Sequence, residues 1–283
     1  MEIEKIGVIG AGQMGNGIAQ VAAMSGLQVI MSDIKEEFVQ AGLQNIIKLL
    51  SRNVEKGRMS GEEKETTLGR IETTLDKAKL SECDFVIEAA TENEQIKFKI
   101  FCDLDEVCRP EAILATNTSS IPIGRIAAQT KRPDKVIGMH FMNPAPLMKL
   151  VEIIPGLVTS QKTFKITWDL AAKFGKTPVK AGDYPAFIAN RILMPMINEA
   201  IFCLDHGVGT RDDIDTVMKL GMNHPMGPLA LADLIGLDTC LAIMETLYNG
   251  FSDSKYRPCP LLRQYVEAGW LGRKTGRGFY EYE

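Results

Sequence analysis

A glycine-rich motif near the start of the chain, Gly10-Ala11-Gly12-Gln13-Met14-Gly15, does most to limit what this sequence can fold into. It follows a β-branched apolar run at residues 3–9 and opens a stretch at residues 14–25 with helical apolar spacing. In such a setting the first glycine permits a tight turn, the second lets the backbone approach a diphosphate, and the third lets helix and strand pack closely. The motif therefore predicts a strand, turn and helix whose N-terminus binds a dinucleotide. The alternative is a simple tight turn.

An acidic residue follows the next predicted strand. Asp33 comes directly after residues 28–32, at the distance from the glycine motif where a carboxylate accepts hydrogen bonds from an adenosine ribose. A carboxylate there also repels a 2′-phosphate, so NAD(H) is favoured over NADP(H). Lys35 is close enough in sequence to weaken that repulsion, and an unrelated solvent-exposed aspartate is the alternative interpretation.

Short β-branched runs alternate with longer helical stretches through the first part of the chain. This alternation predicts βαβ units and a parallel sheet covered by helices. We therefore expect an α/β fold with an N-terminal Rossmann-type dinucleotide-binding domain at residues 1–183. The predicted strands are residues 3–9, 28–32, 85–89, 112–116 and 136–140, with less regular elements at 150–154 and 177–180 and a long charged helix at 35–57.

The strand pattern stops at about residue 183. Apolar-periodic stretches at residues 187–204 and 229–248 predict helices instead. A chain of 283 residues is close to twice the usual domain size. We therefore expect a second, all-α C-terminal domain at residues 184–283, with the boundary near Gly182-Asp183-Tyr184-Pro185.

Composition excludes several classes of protein. The 36 acidic and 32 basic residues give a net charge of -4, which is no reason to expect nucleic-acid binding. The six cysteines form no C-x-x-C pair, so we expect reduced, mostly buried thiols and no metal site. A strand pattern begins almost at once, and no apolar run reaches the roughly 18 residues of a membrane span. We expect a cytoplasmic protein without membrane contact.

One of the three histidines is the leading acid/base candidate. His140 ends the predicted strand 136–140, beside the crevice where parallel sheets bind ligands. Glu152 lies in the apolar run 150–154, where a buried carboxylate needs a partner. Paired with His140, it would fix the imidazole tautomer and stabilise imidazolium as the ring removes a hydroxyl proton. The alternative is a histidine satisfied by backbone and an edge-strand glutamate in solvent.

Small polar residues follow the predicted strand 112–116. Ser119 can hydrogen-bond a substrate oxygen and Asn117 can face the nicotinamide, although such a cluster is also a common turn or helix cap. In the second domain, Asn190 stands near a predicted helix start, from which an amide can reach a thioester or carboxyl oxygen. A polar helix start explains Asn190 equally well.

Taken together, these segments resemble the 3-hydroxyacyl-CoA dehydrogenase family over essentially the whole chain. Within it the chain is most similar to short bacterial members that act on acetoacetyl-CoA and 3-hydroxybutyryl-CoA in butyrate metabolism. The resemblance implies reversible hydride transfer between NAD(H) and C3 of a short-chain (S)-3-hydroxyacyl-CoA, without a metal. The matching stretches are residues 7–15, 90–93, 115–120, 138–144, 187–191 and 272–280.

The resemblance also implies residue roles. His140 is the general acid/base, Glu152 its electrostatic partner, Ser119 the contact to the substrate 3-oxygen, and Asn190 a contact near the thioester carbonyl. Asn143 lies near both substrate and nicotinamide. Lys97 and Lys274 are otherwise ordinary surface charges. The residues expected to contact NAD(H) are Gly10, Gly12, Gln13, Met14, Gly15, Asp33, Glu92, Lys97, Asn117, Asn143 and Lys274.

A basic helix face and an apolar helix face suggest further partners. Lys48, Arg52 and Lys56 repeat every four residues along one face, which is either a solvated surface or, given the resemblance, a site for CoA phosphates at Arg52 and Lys56. The apolar helical segments 195–197 and 229–235 suit both a core and a subunit contact. The resemblance implies a homodimer through the C-terminal domain.

The chain departs from the family pattern at two positions. Ala186 stands where glycine is usual, so a positive φ there would cost about 1 kcal/mol. Arg52 replaces a frequent lysine. Three other hypotheses are a 3-hydroxyisobutyrate-type hydroxyacid dehydrogenase, which uses a catalytic lysine, a non-catalytic NAD-binding protein of the same fold, and a nucleic-acid binder using residues 48–58.

Overall fold

The first part of the chain forms one twisted, mostly parallel sheet. The structure is a computed structural model, and it describes residues 2–282. Over these residues eight strands pair in the order β3-β2-β1-β4-β5-β6-β7-β8, and the chain order reverses between β1 and β4. The strands are β1 Lys5–Ile9, β2 Gln28–Ser32, β3 Ile71–Thr74, β4 Phe85–Glu88, β5 Ile113–Thr116, β6 Val136–Phe141, β7 Leu150–Pro155 and β8 Thr177–Lys180.

All neighbouring strands run parallel except one pair. β6 and β7 are antiparallel, which places His140 directly opposite Glu152 in the register. The carboxyl ends of β1, β4, β5 and β6 meet at one edge of the sheet, beside the point where the strand order reverses. Sheets of this type bind ligands at that edge.

Helices cover the sheet, and the longer ones bury apolar side chains against it. In α1 these side chains include Ile18 and Ala22, which are fully buried against strand residues such as Val8. Side-chain caps fix several helix starts; Ser60, for example, forms a capping box with Glu63. The helices are α1 Gln13–Met24, α2 Glu36–Glu55, α3 Gly61–Leu68, α4 Glu94–Val107, α5 Ile123–Ala127 and α6 Gln161–Lys173.

The first compact unit ends at Asp183, and the second begins at Tyr184. Asp183 belongs to the first unit because its carboxylate accepts hydrogen bonds from the backbone N–H groups of Ile123 and Gly124, at 2.8 and 2.9 Å. The first N–H groups of a helix have no acceptor within the helix itself, and Asp183 supplies one for these two. The end of the unit is therefore fixed to its own sheet-covering layer.

The regular elements of the second unit are helices around a separate apolar core. Fully buried members of this core include Ile201, Leu229 and Leu262. Among the described residues no helix is both long and apolar enough to cross a membrane. The helices are α7 Ala189–Asp205, α8 Arg211–Thr216, α9 Pro228–Ile235, α10 Leu237–Phe251 and α11 Pro260–Glu267.

The predicted fold class is confirmed, and the differences lie in element boundaries and in elements that were not predicted. The predicted helix 229–248 is two helices, because Gly236 has φ 104° and interrupts the helical path. The predicted helix 187–204 begins at Ala189, because Ala186 and Phe187 have φ values of 62° and 53°. The strand β3 escaped prediction because its four residues, Ile-Glu-Thr-Thr, include no fully buried side chain.

The six cysteines are free thiols. Four are buried, one is exposed and one is intermediate. Burial raises the pKa of both Cys83 and Cys240 to about 12, so both remain protonated at neutral pH.

Candidate active site

The glycine motif forms the turn between β1 and α1. Gly10 has φ 95°, and a Cβ there would lie 2.6 Å from the carbonyl oxygen of Ala89. A Cβ on Gly15 would lie 1.7 Å from the Gly10 carbonyl oxygen. A Cβ on Gly12, by contrast, would meet no atom within 4 Å. The first and third glycines are thus required by packing, whereas the second opens the backbone to a ligand at the start of α1.

Asp33 is held against this turn. Its Oδ2 accepts a hydrogen bond from the Ala11 N–H at 2.7 Å, and its Oδ1 accepts one from Ile34 N–H at 2.7 Å. Lys35, which lies close by in sequence, instead directs its ammonium to Glu37 at 3.7 Å and to the Phe38 ring. The carboxylate of Asp33 is therefore fixed by backbone donors and has no lysine partner among the described ion pairs.

A cavity of about 750 Å³ opens beside the turn, within the volume range of small-molecule sites. Gly10, Gly12 and Asp33 are among its lining residues, and most of the others are apolar. An open glycine backbone, a carboxylate after β2 and an apolar lining fit NAD(H). The apolar lining includes Ile34, Phe38, Ile96, Ile100, Leu104 and Val107.

His140 lies at the same edge of the sheet, between two side chains. Its Nδ1 is 2.8 Å from Oε2 of Glu152, and its Nε2 is 3.0 Å from Oγ of Ser119. Glu152 is 1% exposed, because β7 lies between β6 and β8 and is not an edge strand. A carboxylate only accepts hydrogen bonds, so Nδ1 carries the proton in the neutral ring. Nε2 is then an acceptor, available to Ser119 or to a substrate hydroxyl.

Ser119 lies in a turn that Glu92 organises. Oε1 of Glu92 accepts hydrogen bonds from the Ser119 N–H at 2.5 Å, from Thr118 Oγ1 at 2.8 Å and from Ser120 Oγ at 3.1 Å. Asn117 joins the end of β5 to β6, since its Oδ1 accepts the Phe141 N–H at 2.9 Å. The small polar cluster is therefore a specific turn whose serine hydroxyl is directed to the imidazole.

Lys97 is not a surface charge. It is 1% exposed, its ammonium pairs with the fully buried Glu88, and it lies 3.4 Å from Thr116 Oγ1 and 3.8 Å from Glu92 Oε2. The surface-charge alternative is wrong for this residue. Glu88 was missed from the sequence, although, like Glu152, it is a single acid in an otherwise apolar strand.

Asn143 lies in the loop between β6 and β7. Lys176 holds this loop by donating hydrogen bonds to two of its carbonyl oxygens, at 2.6 and 2.8 Å, and burial lowers the pKa of Lys176. The loop also packs on α1, where a Cβ at Gly17 would lie 3.1 Å from Cδ of Pro146. The side chain of Asn143 itself is exposed.

The remaining predicted residues of the first unit lie on or next to α1 and α2. Lys48 and Arg52 are exposed on α2, and Lys56 is the residue that ends that helix. None of the ion pairs among the described residues involves these three cations. Gln13 is exposed at the start of α1, and Met14 is half-buried against the sheet core.

Two predicted residues belong to the second unit. Asn190 is the second residue of α7 and is half-buried. Lys274 is exposed, and its ammonium donates to both carboxylate oxygens of Asp238 at 2.6 Å. Ala186 does have the positive φ at which alanine is strained, as the departure from the family pattern anticipated.

Comparisons with known proteins cover the whole length of the chain. Residues 5–184 match the family model described as 3-hydroxyacyl-CoA dehydrogenase, NAD binding domain, and residues 187–282 match that of the C-terminal domain. A probable 3-hydroxybutyryl-CoA dehydrogenase of Bacillus subtilis is 58% identical over 283 residues, covering 100% of this chain and 99% of the relative. A 3-hydroxybutyryl-CoA dehydrogenase of Bradyrhizobium diazoefficiens is 56% identical, covering 99% and 96%.

A solved structure agrees with these sequence comparisons. The (S)-3-hydroxybutyryl-CoA dehydrogenase PaaH1 of Ralstonia eutropha superposes with a TM-score of 0.98 at 50% sequence identity. The alignment covers 100% of both chains.

Proposed function

This chain belongs to the 3-hydroxyacyl-CoA dehydrogenase family, and on that premise we propose that it interconverts short-chain (S)-3-hydroxyacyl-CoA and 3-oxoacyl-CoA. It is an oxidoreductase that acts on a CH–OH group with NAD(H) as cofactor. The favoured pair is 3-hydroxybutyryl-CoA and acetoacetyl-CoA, since relatives that match over their full length carry that name. The hydrogen-bonded series Ser119, His140 and Glu152 beside the glycine turn carries the proposal.

In this proposal the glycine turn and Asp33 hold the adenosine and diphosphate portions of NAD(H). The open face of Gly12 and the apolar walls of the 750 Å³ cavity support that assignment. A cofactor bound there would supply the acceptor of the hydride at C3 of the substrate, or its donor in the reverse direction. The full set of proposed cofactor contacts is Gly10, Gly12, Gln13, Met14, Gly15, Asp33, Glu92, Lys97, Asn117, Asn143 and Lys274.

His140 is the proposed acid/base. In the oxidative direction its Nε2 takes the proton of the substrate hydroxyl, and the oxygen left on C3 forms the carbonyl bond as hydride departs. Glu152 stabilises the imidazolium through Nδ1, 2.8 Å away. Ser119 donates a hydrogen bond to the same substrate oxygen. In the reductive direction protonated His140 returns its proton to the developing alkoxide.

The rest of the substrate needs both neutral and cationic contacts. We assign the thioester carbonyl to Asn190, and the acyl portion near the nicotinamide also to Asn143. The exposed side chains of Arg52 and Lys56 are free of described ion pairs and suit the phosphates of CoA. If these cations bind the CoA phosphates, KM for the CoA thioester should rise with salt concentration; if they only face solvent, KM should not depend on these residues.

We propose a cytoplasmic homodimer that assembles through the second unit. An apolar groove of about 530 Å³ on that unit supports this assignment, since its lining includes Met196 and the 67% exposed Ile192. Nucleic acid and membranes are not proposed partners. The 3-hydroxyisobutyrate-type alternative is not favoured, because both family models describe a 3-hydroxyacyl-CoA dehydrogenase.

The test is the loss of NADH absorbance with acetoacetyl-CoA, with NADPH and free acetoacetate as the matched comparisons. We expect rapid oxidation of NADH with the CoA thioester only. Activity on free acetoacetate alone contradicts the CoA assignment, and a preference for NADPH contradicts only the role of Asp33. No activity with either acid or thioester favours a non-catalytic NAD-binding protein.

A further inference from the structure

A second buried carboxylate lies at the edge of the sheet and has no part in the proposed proton transfer. Glu88, the last residue of β4, is 0% exposed. Its Oε2 accepts hydrogen bonds from Lys97 Nζ and from Thr116 Oγ1, the latter at 2.9 Å. Its Oε1 accepts the Ala90 N–H at 2.9 Å. Donors from α4, from β5 and from the loop after β4 thus converge on one buried charge.

The buried pair of Glu88 and Lys97 continues toward the catalytic turn. Nζ of Lys97 lies 3.8 Å from Oε2 of Glu92, whose other oxygen accepts the Ser119 N–H at 2.5 Å. The Ser119 hydroxyl lies 3.0 Å from Nε2 of His140. A continuous series of charged and hydrogen-bonded groups therefore joins the interior of the sheet to the imidazole.

Stability alone does not account for a buried ion pair here. Two apolar residues of similar volume are often as stabilising as a buried pair, because the desolvation of both charges offsets their attraction. What the pair provides is a fixed position for a positive charge beneath Glu92. The turn at residues 118–120 is not part of a helix or strand, and side chains hold it: Glu92 accepts three hydrogen bonds from it, and Thr116 Oγ1, itself a donor to Glu88, accepts the Thr118 N–H at 3.2 Å. The Ser119 N–H and the Ser120 hydroxyl both donate to Glu92, so Glu92 bears directly on the position of Ser119.

We propose that Glu88 is a positioning residue for Ser119: through Lys97 it holds Glu92, and through Glu92 it keeps the Ser119 hydroxyl within hydrogen-bond distance of His140. The inference rests on the proposed function, which assigns Ser119 and His140 to the substrate oxygen. It adds a residue whose influence on the reaction is exerted through other side chains.

The test uses Glu88→Gln, which keeps the size of the side chain and removes its charge. The chain has three histidines, so the ring signals of His140, His206 and His224 can be followed by NMR of the ring-¹⁵N-labelled protein without substrate. We expect the His140 signals to shift while the other two remain. The matched control is Glu94→Gln on α4, the helix that carries Lys97; the partially exposed pair of Glu94 with Arg125 involves neither Glu88 nor Glu92, and this variant should leave all three signals unchanged.

Loss of one charge of a buried pair can destabilise the fold. The double variant Glu88→Gln with Lys97→Met removes both charges and guards against this outcome. We expect it to fold and to show the same shift of the His140 signals. Unmoved His140 signals in a folded variant overturn the proposal.

Kinetics supply the second measurement. We expect Glu88→Gln to lower kcat about tenfold in the otherwise unchanged chain, but less than about twofold in a Ser119→Ala background. A merely structural role predicts equal losses in both backgrounds, and that result also overturns the proposal. If the unchanged chain fails to act on any hydroxyacyl-CoA, the proposed function is wrong, whereas the NMR measurement still decides the positioning role.

Discussion

The glycine turn at residues 10–15 and the cluster of Ser119, His140 and Glu152, here called the edge, lie at the same end of one sheet. They are built in opposite ways. The turn is made of backbone: Gly15 has no room for a Cβ, and Gly12 faces open space. The edge is made of side chains: His140 and Glu152 come from opposed strands, and Ser119 from a loop. From this difference we expect that an added methyl group impairs the turn, whereas the loss of a titratable or charged side chain impairs the edge.

The largest expected effect is at the edge. His140→Asn removes the proposed acid/base, so kcat with acetoacetyl-CoA should fall roughly 10³-fold. NADH binding, followed by its fluorescence, should stay within a factor of about three because the glycine turn is unaltered. Near-native turnover in this variant would show that His140 is not the acid/base.

The next effect contrasts two identical substitutions in the turn. Gly15→Ala places a methyl group 1.7 Å from the Gly10 carbonyl oxygen, and the free energy of unfolding should fall by about 3 kcal/mol or more. Gly12→Ala meets no atom within 4 Å, and the free energy of unfolding should change by less than about 0.5 kcal/mol.

Urea unfolding and NADH titration separate these two variants. Gly12→Ala should weaken NADH binding without loss of stability, because its methyl group occupies the face proposed for the diphosphate. If both variants unfold at the same urea concentration, the distinction between packing glycines and the open glycine is wrong.

A smaller effect concerns charge within the turn itself. Asp33→Asn keeps an oxygen for the Ala11 N–H and removes the negative charge, so the preference for NADH over NADPH should fall roughly tenfold, the equivalent of about 1.4 kcal/mol of repulsion. The ratio of kcat/KM for the two cofactors measures it. Glu36→Gln, on an exposed residue nearby that takes part in no described ion pair, changes the net charge equally and should leave the ratio unchanged.

The smallest effect is at a strained residue of the second unit. Ala186→Gly relieves about 1 to 2 kcal/mol of strain from the left-handed backbone conformation. It also removes a fully buried methyl group, which contributes about 0.8 kcal/mol, so the free energy of unfolding should rise by about 0.5 kcal/mol. Ser252→Gly is the matched control, because Ser252 has φ 52° but is exposed. Urea unfolding should show the larger gain for Ser252→Gly, and the reverse order would contradict this account.

Local patterns predicted the parts of the molecule in which one segment determines its own structure. Examples are the glycine motif, the strand at residues 28–32 and Glu152, the acid inside the apolar run 150–154. The hydrogen-bonded network of Glu88 could not be predicted, because its partners come from α4 and β5, which no local spacing links to it. The break at Gly236 was missed because apolar periodicity continues through it, while its φ of 104° is a property of the folded backbone.

The ends of the sheet bear on how copies of this chain associate. An open sheet exposes unpaired N–H and C=O groups at both outer strands, and such strands can recruit a strand of another molecule. Here β3 and β8 have only four residues each. Pro178 lacks an N–H in β8, and charged Glu72 pairs with Lys79 beside β3. Growth of the sheet into fibrils is therefore opposed at both ends, and ordered self-association is left to side-chain surfaces.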